Sequence, residues 1–300
     1  MTMLGGLNVR IGAQPIIWSN DDFLDLGADI PLERCLREMQ EACYAGTELG
    51  HKFPARPKDL KAVLQKHGLA LVSGWHSTYL ATRGLEEEKA RFKKHLDLLA
   101  EMGCSTAIVA ECTGRIYDDP QAALWQDPRK DILDRRGWER LWQGLEELSA
   151  LAAAKGLALA YHHHMGTAVQ NLPEIDRLMA NTRSVRLLAD TGHMAFAGID
   201  PLEVFQKYKD RIAHVHLKNI RPEVAAEART GNFSFAKAVR RGVFTVPGDG
   251  GMDFVPLFKV LAEISYQGWM VVEAEQDPAQ ANPLEYARMG REYIRRTAGI

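Results

Sequence analysis

The chain reads as an α/β protein, a single (β/α)8 TIM barrel spanning residues 1–300 as one domain. Three observations predict it. Short β-like runs alternate with longer amphipathic stretches from end to end. Eight such pairs follow one another without a domain-sized break, which implies a parallel sheet that closes on itself. Four of the strands end abruptly in His, Asp or Glu, and the C-terminal ends of barrel strands are where that fold keeps its active sites.

The elements follow in order. Val9–Ala13 is the first strand. Pro31–Cys43 is a helix, with Leu32, Leu36 and Met39 at helical spacing and Pro31 in its first turn. Gly46–Leu49 is the second strand, and Pro57–His67 a helix stopped by Gly68. Leu69–Ser73 is the third strand. The helix Glu86–Met102 puts Phe92, Leu96 and Leu99 on one face and charges on the other, and Gly103 caps it. Thr106–Ala110 is the fourth strand. Arg136–Lys155 is a long helix ended by Gly156, and Leu157–Tyr161 the fifth strand. Leu172–Ala180 is helical, Val185–Ala189 is the sixth strand, Pro201–Lys209 a helix and Ile212–Leu217 the seventh strand. Phe254–Ile264, Met270–Val272 and Leu284–Arg296 supply the last helix–strand–helix. Two connections are long. Cys112–Arg135 carries Pro120, Trp125, Asp127 and Pro128. Asn219–Asp253 ends in Val246-Pro247-Gly248-Asp249-Gly250-Gly251. Long structureless connections in a compact domain are usually functional, and both are expected to cover the active face.

Composition narrows the class. The chain is 46% hydrophobic, enough for a large core, and its net charge of −2 leaves no electrostatic footprint for nucleic acid. The four cysteines form no C-x-x-C pair, so neither a zinc knuckle nor a disulfide framework is expected. Met1–Val9 lacks the basic and apolar regions of a signal peptide, and no apolar run approaches the roughly 20 residues of a membrane span. A soluble cytoplasmic protein is expected, with no nucleic-acid or membrane partner.

Side chains alternate along a strand, so parity sorts the polar ends. In the fifth strand Leu157, Leu159 and Tyr161 form the bulky, helix-facing set, which leaves His162 and His164 pointing inward. His214, His216 and Lys218 share a face of the seventh strand, and Glu273 and Glu275 one of the eighth. The sixth offers Asp190, with His193 beyond a glycine that permits a tight turn. One such histidine alone would read as a packed core residue. Several histidines, an aspartate and two glutamates at four consecutive strand ends would cost several kcal/mol each if unpaired, which packing does not repay. A His/Asp/His/Glu set suits one divalent metal ion. Spacing leaves His162 against His164, and Glu273 against Glu275, open as ligands. Glu48 and Glu111, closing the second and fourth strands, extend the ring as paired acids or as hydroxyl-binding groups. Trp18, Asn20, Lys52, Trp75 and His76 lie just beyond strands one to three and suit a polyhydroxylated ligand. His67 and His95 fall inside helical stretches and read as surface or edge residues. Gly248-Asp249-Gly250-Gly251 lacks the Lys-Ser/Thr of a phosphate loop and reads as a turn.

Asp190-Thr191-Gly192-His193, His214-Val215-His216-Leu217-Lys218 and Val271-Val272-Glu273 together resemble the xylose-isomerase-like sugar isomerase/epimerase superfamily. Trp18-Ser19-Asn20-Asp21-Asp22, Glu48-Leu49-Gly50-His51-Lys52 and Glu273-Ala274-Glu275-Gln276-Asp277 are similar to the inosose dehydratase family within it. The similarity runs nearly end to end. It implies a hydro-lyase of myo-inositol catabolism that removes water from scyllo-inosose (2-keto-myo-inositol), through an enediolate, to give a trihydroxycyclohexane-1,2-dione. A keto-sugar or keto-polyol isomerase or epimerase on the same barrel is the alternative. The resemblance implies Asp190, His216 and Glu273 as metal ligands. On strand five His162 stands where a Glu is usual, and Asn219 where an Asp often follows the Lys. Mn2+ or Co2+ and a glutathione requirement are implied by the resemblance alone. In that chemistry Glu275 or His164 is expected as the base. His193 and Lys218 are expected to protonate the leaving hydroxyl or hold the enolate oxygen. Trp18, Asn20, Glu48, Lys52, His76 and Glu111 are expected around the small cyclic polyol ketone. A homo-oligomer is compatible with all of this.

Overall fold

A computed structural model describes residues 7–127, 129 and 133–300; the readings placed on Met1–Gly6 and on Pro128 lie outside them. The main sheet is built from β1 (Asn8–Ala13), β2 (Gly46–Thr47), β3 (Ala70–Leu71), β4 (Trp75–Thr78), β5 (Thr106–Glu111), β6 (Ala158–His162), β7 (Arg186–Asp190), β8 (Ile212–Leu217) and, last in the chain, β11 (Gln267–Val272). Every pairing in it is parallel, in the order β3-β2-β1-β11-β8-β7-β6-β5-β4. The two ends of that order are consecutive in the chain, separated only by Val72, Ser73 and Gly74, so the sheet curls round on itself.

This corrects the expected count of eight strands. The third strand is interrupted: its first half, β3, pairs with β2, and its second half, β4, pairs with β5, so nine segments stand where eight were expected. Trp75–Thr78, expected as loop, is strand. Helices α1 (Leu32–Glu41), α2 (Pro57–Lys66), α3 (Leu85–Glu101), α4 (Arg135–Ala153) and α5 (Leu172–Asn181) lie within a few residues of expectation. The same holds for α7 (Pro201–Lys207), α10 (Val255–Glu263) and α11 (Pro283–Ala298).

Their apolar faces cover the outward side chains of the strands. Val109, Leu159, Tyr161, Leu187, Val215, Leu217, Met270 and Val272 all belong to one buried cluster with the helices. The alternate positions point into the barrel, where Ile108, Ala160 and Leu188 form one small plug and Val72, Trp269 and Val271 another. The period of two therefore carries the inward direction on to His162 on β6 and Asp190 on β7, and beyond β11 to Glu273.

The long 219–253 connection is not structureless. It holds β9 (Asn219–Ile220) and β10 (Phe244–Thr245), paired antiparallel, with α8 (Pro222–Thr230) and α9 (Phe235–Arg240) between them. Phe233, Phe235 and Phe244 from it pack with Phe23, Ile116, Tyr117, Leu124, Met165 and Phe196, all from segments that follow strands. This second apolar cluster roofs the C-terminal end of the barrel. Among the described residues no helix is long and apolar enough to cross a membrane.

Candidate active site

The strand register sets out the site before any side chain is considered. A register shift between Leu187 and Leu188 brings Asp190 of β7 opposite His216 of β8. His216 pairs with Val271 of β11, so the residues just beyond, Lys218 and Glu273, come level. Asp190 then caps α6 (Thr191–Ala197), a helix that replaces the tight turn expected here. Its Oδ1 accepts the His193 backbone N–H at 2.9 Å, which leaves Oδ2 for the barrel interior. Gly192 lies inside that helix, and its role is close approach: a Cβ there would overlap Cγ of Lys218.

Three donor groups converge, and a fourth, Glu273, adjoins one of them. His162 Nε2 is 3.3 Å from Asp190 Oδ2, and His216 Nδ1 is 3.4 Å from the same oxygen. These three atoms lie within 4.8 Å of one another. His216 Nδ1 is also 2.5 Å from Glu273 Oε2, yet neither atom makes a hydrogen bond of proper geometry. Ligand bonds of about 2.0–2.2 Å in a tetrahedron put neighbouring donors about 3.3–3.6 Å apart. The two contacts to Asp190 Oδ2 match that spacing, so the residues fit a divalent ion.

Charge agrees. Lys218 Nζ is 2.7 Å from Glu275 Oε2, 2.9 Å from Glu273 Oε1 and 3.5 Å from Asp190 Oδ2. One ammonium among three carboxylates leaves two negative charges, which a divalent cation would balance. Burial pushes the Lys218 ammonium toward losing its proton, but Asp190, Glu273 and Glu275 more than reverse this and raise its pKa. Burial likewise opposes the Asp190 and Glu275 charges; Lys218, joined by His193, His162 and His216 at Asp190 and by His164 at Glu275, outweighs it and holds each below the usual carboxylate range. Burial takes His162 down to about 3, against its hydrogen bond to Asp190, so the ring is neutral and able to ligate.

Above this set a cleft of about 290 Å3 opens, at the small end of the roughly 300–1,000 Å3 usual for ligand pockets. His162, His164, His216, Glu273 and Glu275 form its floor side, Trp75, Tyr117, Ile16 and Leu49 its apolar walls, and Gln14, Asp21, Asp22, Glu48 and His51 its remaining polar lining. Glu48 enters as expected from the second strand's end. Its Oε1 is 2.7 Å from His214 Nε2, and its Oε2 accepts Gln14 Nε2 at 2.8 Å.

Several expected residues do not reach the cleft. Trp18 is fully buried in the helix-facing core and donates its indole N–H to Glu38 Oε2 at 2.7 Å. Asn20 closes a turn by accepting the Asp22 and Phe23 backbone N–H groups, both at 2.8 Å. Lys52 Nζ binds the Gly27, Ala28 and Ile30 carbonyls and braces the same loop. His76 points outward, stacked on His95, because β4 parity turns Trp75 inward instead. His67 is buried and His95 half-buried, not surface residues. Glu111 is consumed by Thr78, Thr113 and the Leu80 and Ala81 backbone N–H groups. His193 and Lys218 have no exposure at all and lie beneath the cleft, hydrogen-bonded to each other at 2.9 Å. Trp75, expected near the ligand, does line the cleft, and Asp22, Gln14 and Tyr117 line it without having been singled out as ligand contacts. The run Asn20-Asp21-Asp22, a turn-forming pattern in the segment after the first strand, was the legible signal for Asp22.

Residues 36–297 match the family model of the xylose isomerase-like TIM barrel. The chain is 47% identical to an inosose dehydratase of Geobacillus thermodenitrificans, over 97% of this chain and 98% of that one. It is 45% identical to an inosose dehydratase of Clostridium botulinum, over 99% of this chain and the whole of the other. Among solved structures it resembles the IolI protein with a bound zinc atom, at TM-score 0.68 and 15% identity over 97% of this chain and 98% of that one, which speaks to the fold alone.

Proposed function

We propose, from the premise that the chain belongs to the xylose isomerase-like TIM-barrel family and within it to the inosose dehydratases, that this cleft removes water from scyllo-inosose to give a trihydroxycyclohexane-1,2-dione. The observation that carries the reading is the convergence of His162, Asp190 and His216, with Glu273 against His216, directly below a cleft lined by a separate carboxylate, Glu275. A hydro-lyase acting on a ketone needs a place to polarise the carbonyl and a base beside it.

His162, Asp190, His216 and Glu273 would hold the divalent metal, Mn2+ or Co2+, which when bound supplies a Lewis acid for the ring carbonyl and its neighbouring hydroxyl. Glu275 takes the α-proton. Lys218 keeps it ionised for that purpose, which gives this lysine a role in placing charge rather than in delivering protons. His164 Nδ1 donates to the Met165 carbonyl at 2.8 Å, so its Nε2 is the nitrogen turned toward Glu275, 3.6 Å away. Trp75 and Tyr117 wall the cleft and would keep water from the α-carbon of a substrate held in it. Glutathione belongs to the proposal as an assay component with no residue assigned to it. A single barrel domain with a cytoplasmic address completes the reading; four free thiols and the lack of a membrane-length helix among the described residues support it.

The test is dione formation from scyllo-inosose by protein stripped with a chelator and then given Mn2+ or Co2+. Activity lost and restored is expected, and Asp190→Asn should abolish both metal content and turnover. Full activity in the stripped protein sinks the metal assignment. Epimerisation without water loss sinks the dehydratase reading in favour of an isomerase or epimerase.

A further inference from the structure

Loss of a β-hydroxyl is hard because hydroxide is a poor leaving group, so a group facing the substrate must give it a proton. The two side chains expected to do so are unavailable. His193 and Lys218 are sealed under the cleft, and the Lys218 ammonium is committed to three carboxylates.

Asp22 is placed differently. The Asn20 turn holds its backbone in the segment that follows β1, and its side chain lines the cleft, half-buried. Its carboxyl has no hydrogen-bonding or ionic partner among the described residues. Both neighbouring acids do: Asp21 meets His51 Nδ1 at 2.6 Å, and Asp118 meets Arg115 at 2.8 Å. The ionisable groups facing Asp22 are His164 from beyond β6, Glu275 from beyond β11, Asp21 from its own turn, and Asp118 and Tyr117 from the segment after β5. An unpaired carboxyl, aimed into an apolar-walled cleft and not held ionised by any arginine or lysine, is the form a proton donor takes.

We infer that Asp22 is the acid that protonates the departing β-hydroxyl; this rests on the dehydratase reading. Glu275 takes the α-proton, and the C–H electron pair becomes the carbon–carbon double bond of the enol. The β C–O bond breaks and its electron pair leaves with oxygen. The Asp22 O–H proton joins that oxygen, water departs, and Asp22 is left as carboxylate to be reprotonated from solvent. The enol then tautomerises to the dione, and no electron acceptor is needed. Burial, opposed by His164 and reinforced by Glu275, Asp21 and Asp118, raises the Asp22 pKa to about 7, so the acid form is present at neutral pH.

Asp22→Asn in the metal-loaded enzyme tests this with two substrates. With scyllo-inosose, water loss should fall roughly 10²–10⁴-fold, and the decline of the wild-type rate above about pH 7 should vanish. Exchange of the α-proton with deuterated solvent should persist. With the analogue whose β-hydroxyl is replaced by fluoride, the variant should approach the wild-type rate, because fluoride leaves with little need of a proton. Undiminished water loss in the variant overturns the inference. So does an equal loss on the fluoro analogue, which would mark a positional role only. A wild-type enzyme that eliminates neither water from scyllo-inosose nor fluoride from the analogue fails the functional reading instead.

Discussion

Glu48 Oε1 accepts hydrogen bonds from both His214 Nε2, at 2.7 Å, and His216 Nε2, at 3.0 Å. A carboxylate can only accept, so both rings carry their proton on Nε2. His214 and His216 outweigh the burial that would otherwise protonate Glu48, and its carboxyl is held far below the usual range. In its neutral form His216 is thereby left with a bare Nδ1, the atom that faces Asp190 and Glu273. Fixing one ring nitrogen by a carboxylate so that the other can ligate is the recurring second contact of metal-bound histidines.

Glu48→Gln should therefore weaken metal binding by about 10–100-fold while the fold survives. Titration calorimetry with Mn2+ checks this. Unchanged affinity would mean that His216 is not oriented by Glu48 or is not a ligand.

Lys218→Met would leave Asp190, Glu273 and Glu275 buried together without their ammonium. Removing one partner of a buried charge cluster costs about 3–5 kcal/mol. Urea unfolding of the metal-free variant should show a loss of that size. A loss under about 1 kcal/mol, the scale of an exposed ion pair, would show that the lysine is not the group holding these charges.

Trp18→Phe separates packing from ligand binding. The indole N–H satisfies Glu38 Oε2, whose other oxygen binds Arg34 Nε at 2.7 Å, and Phe fills most of the same volume. The variant should lose about 1–3 kcal/mol of stability with KM for inosose unchanged. A raised KM with stability intact would return Trp18 to the substrate.

Asp22 gives the free protein a pH signature of its own. Its folded pKa, about 7, lies above the ordinary 3.8, so the native state holds a proton that the unfolded chain has released. The corresponding stability is present in full below about pH 4 and is lost as pH rises to about 7. Asp22→Asn lacks this slope. The difference in unfolding free energy between variant and wild type should move in the variant's favour from pH 5 to pH 8. A constant difference would place the native pKa near its ordinary value.

Much of the barrel was legible because its signals are local. Alternation along β6 and β11 marks Tyr161 and Val272 for the helices and His162 and Glu273 for the interior, and neighbouring residues alone set that alternation. The same rule would have turned Trp75 inward and His76 outward, had Trp75–Thr78 been read as strand. Four residues, one of them serine, following Gly74 carry too little periodicity to be distinguished from loop. The helices α8 and α9 carry weak signals of their own: α8 buries only Ala225 and Ala228, and α9, though it buries Phe235 and Val239, is six residues long, too short to show a helical period.

Residue type and spacing alone determined that acids, histidines and a lysine gather at the strand ends, since period two and a parallel sheet leave them nowhere else to go. Tertiary structure decided what each one touches. The register shift at Leu187/Leu188 sets Asp190 against His216, and the absence of a side chain on Gly192 lets Lys218 run beneath them. Lys52 went to three carbonyls and Glu111 to four donors, because a buried charge takes whichever partners the loops deliver. Asp22, which the loops left without one, faces the cleft. Pairing across residues hundreds apart in sequence is a property of the closed barrel, and no local pattern encodes it.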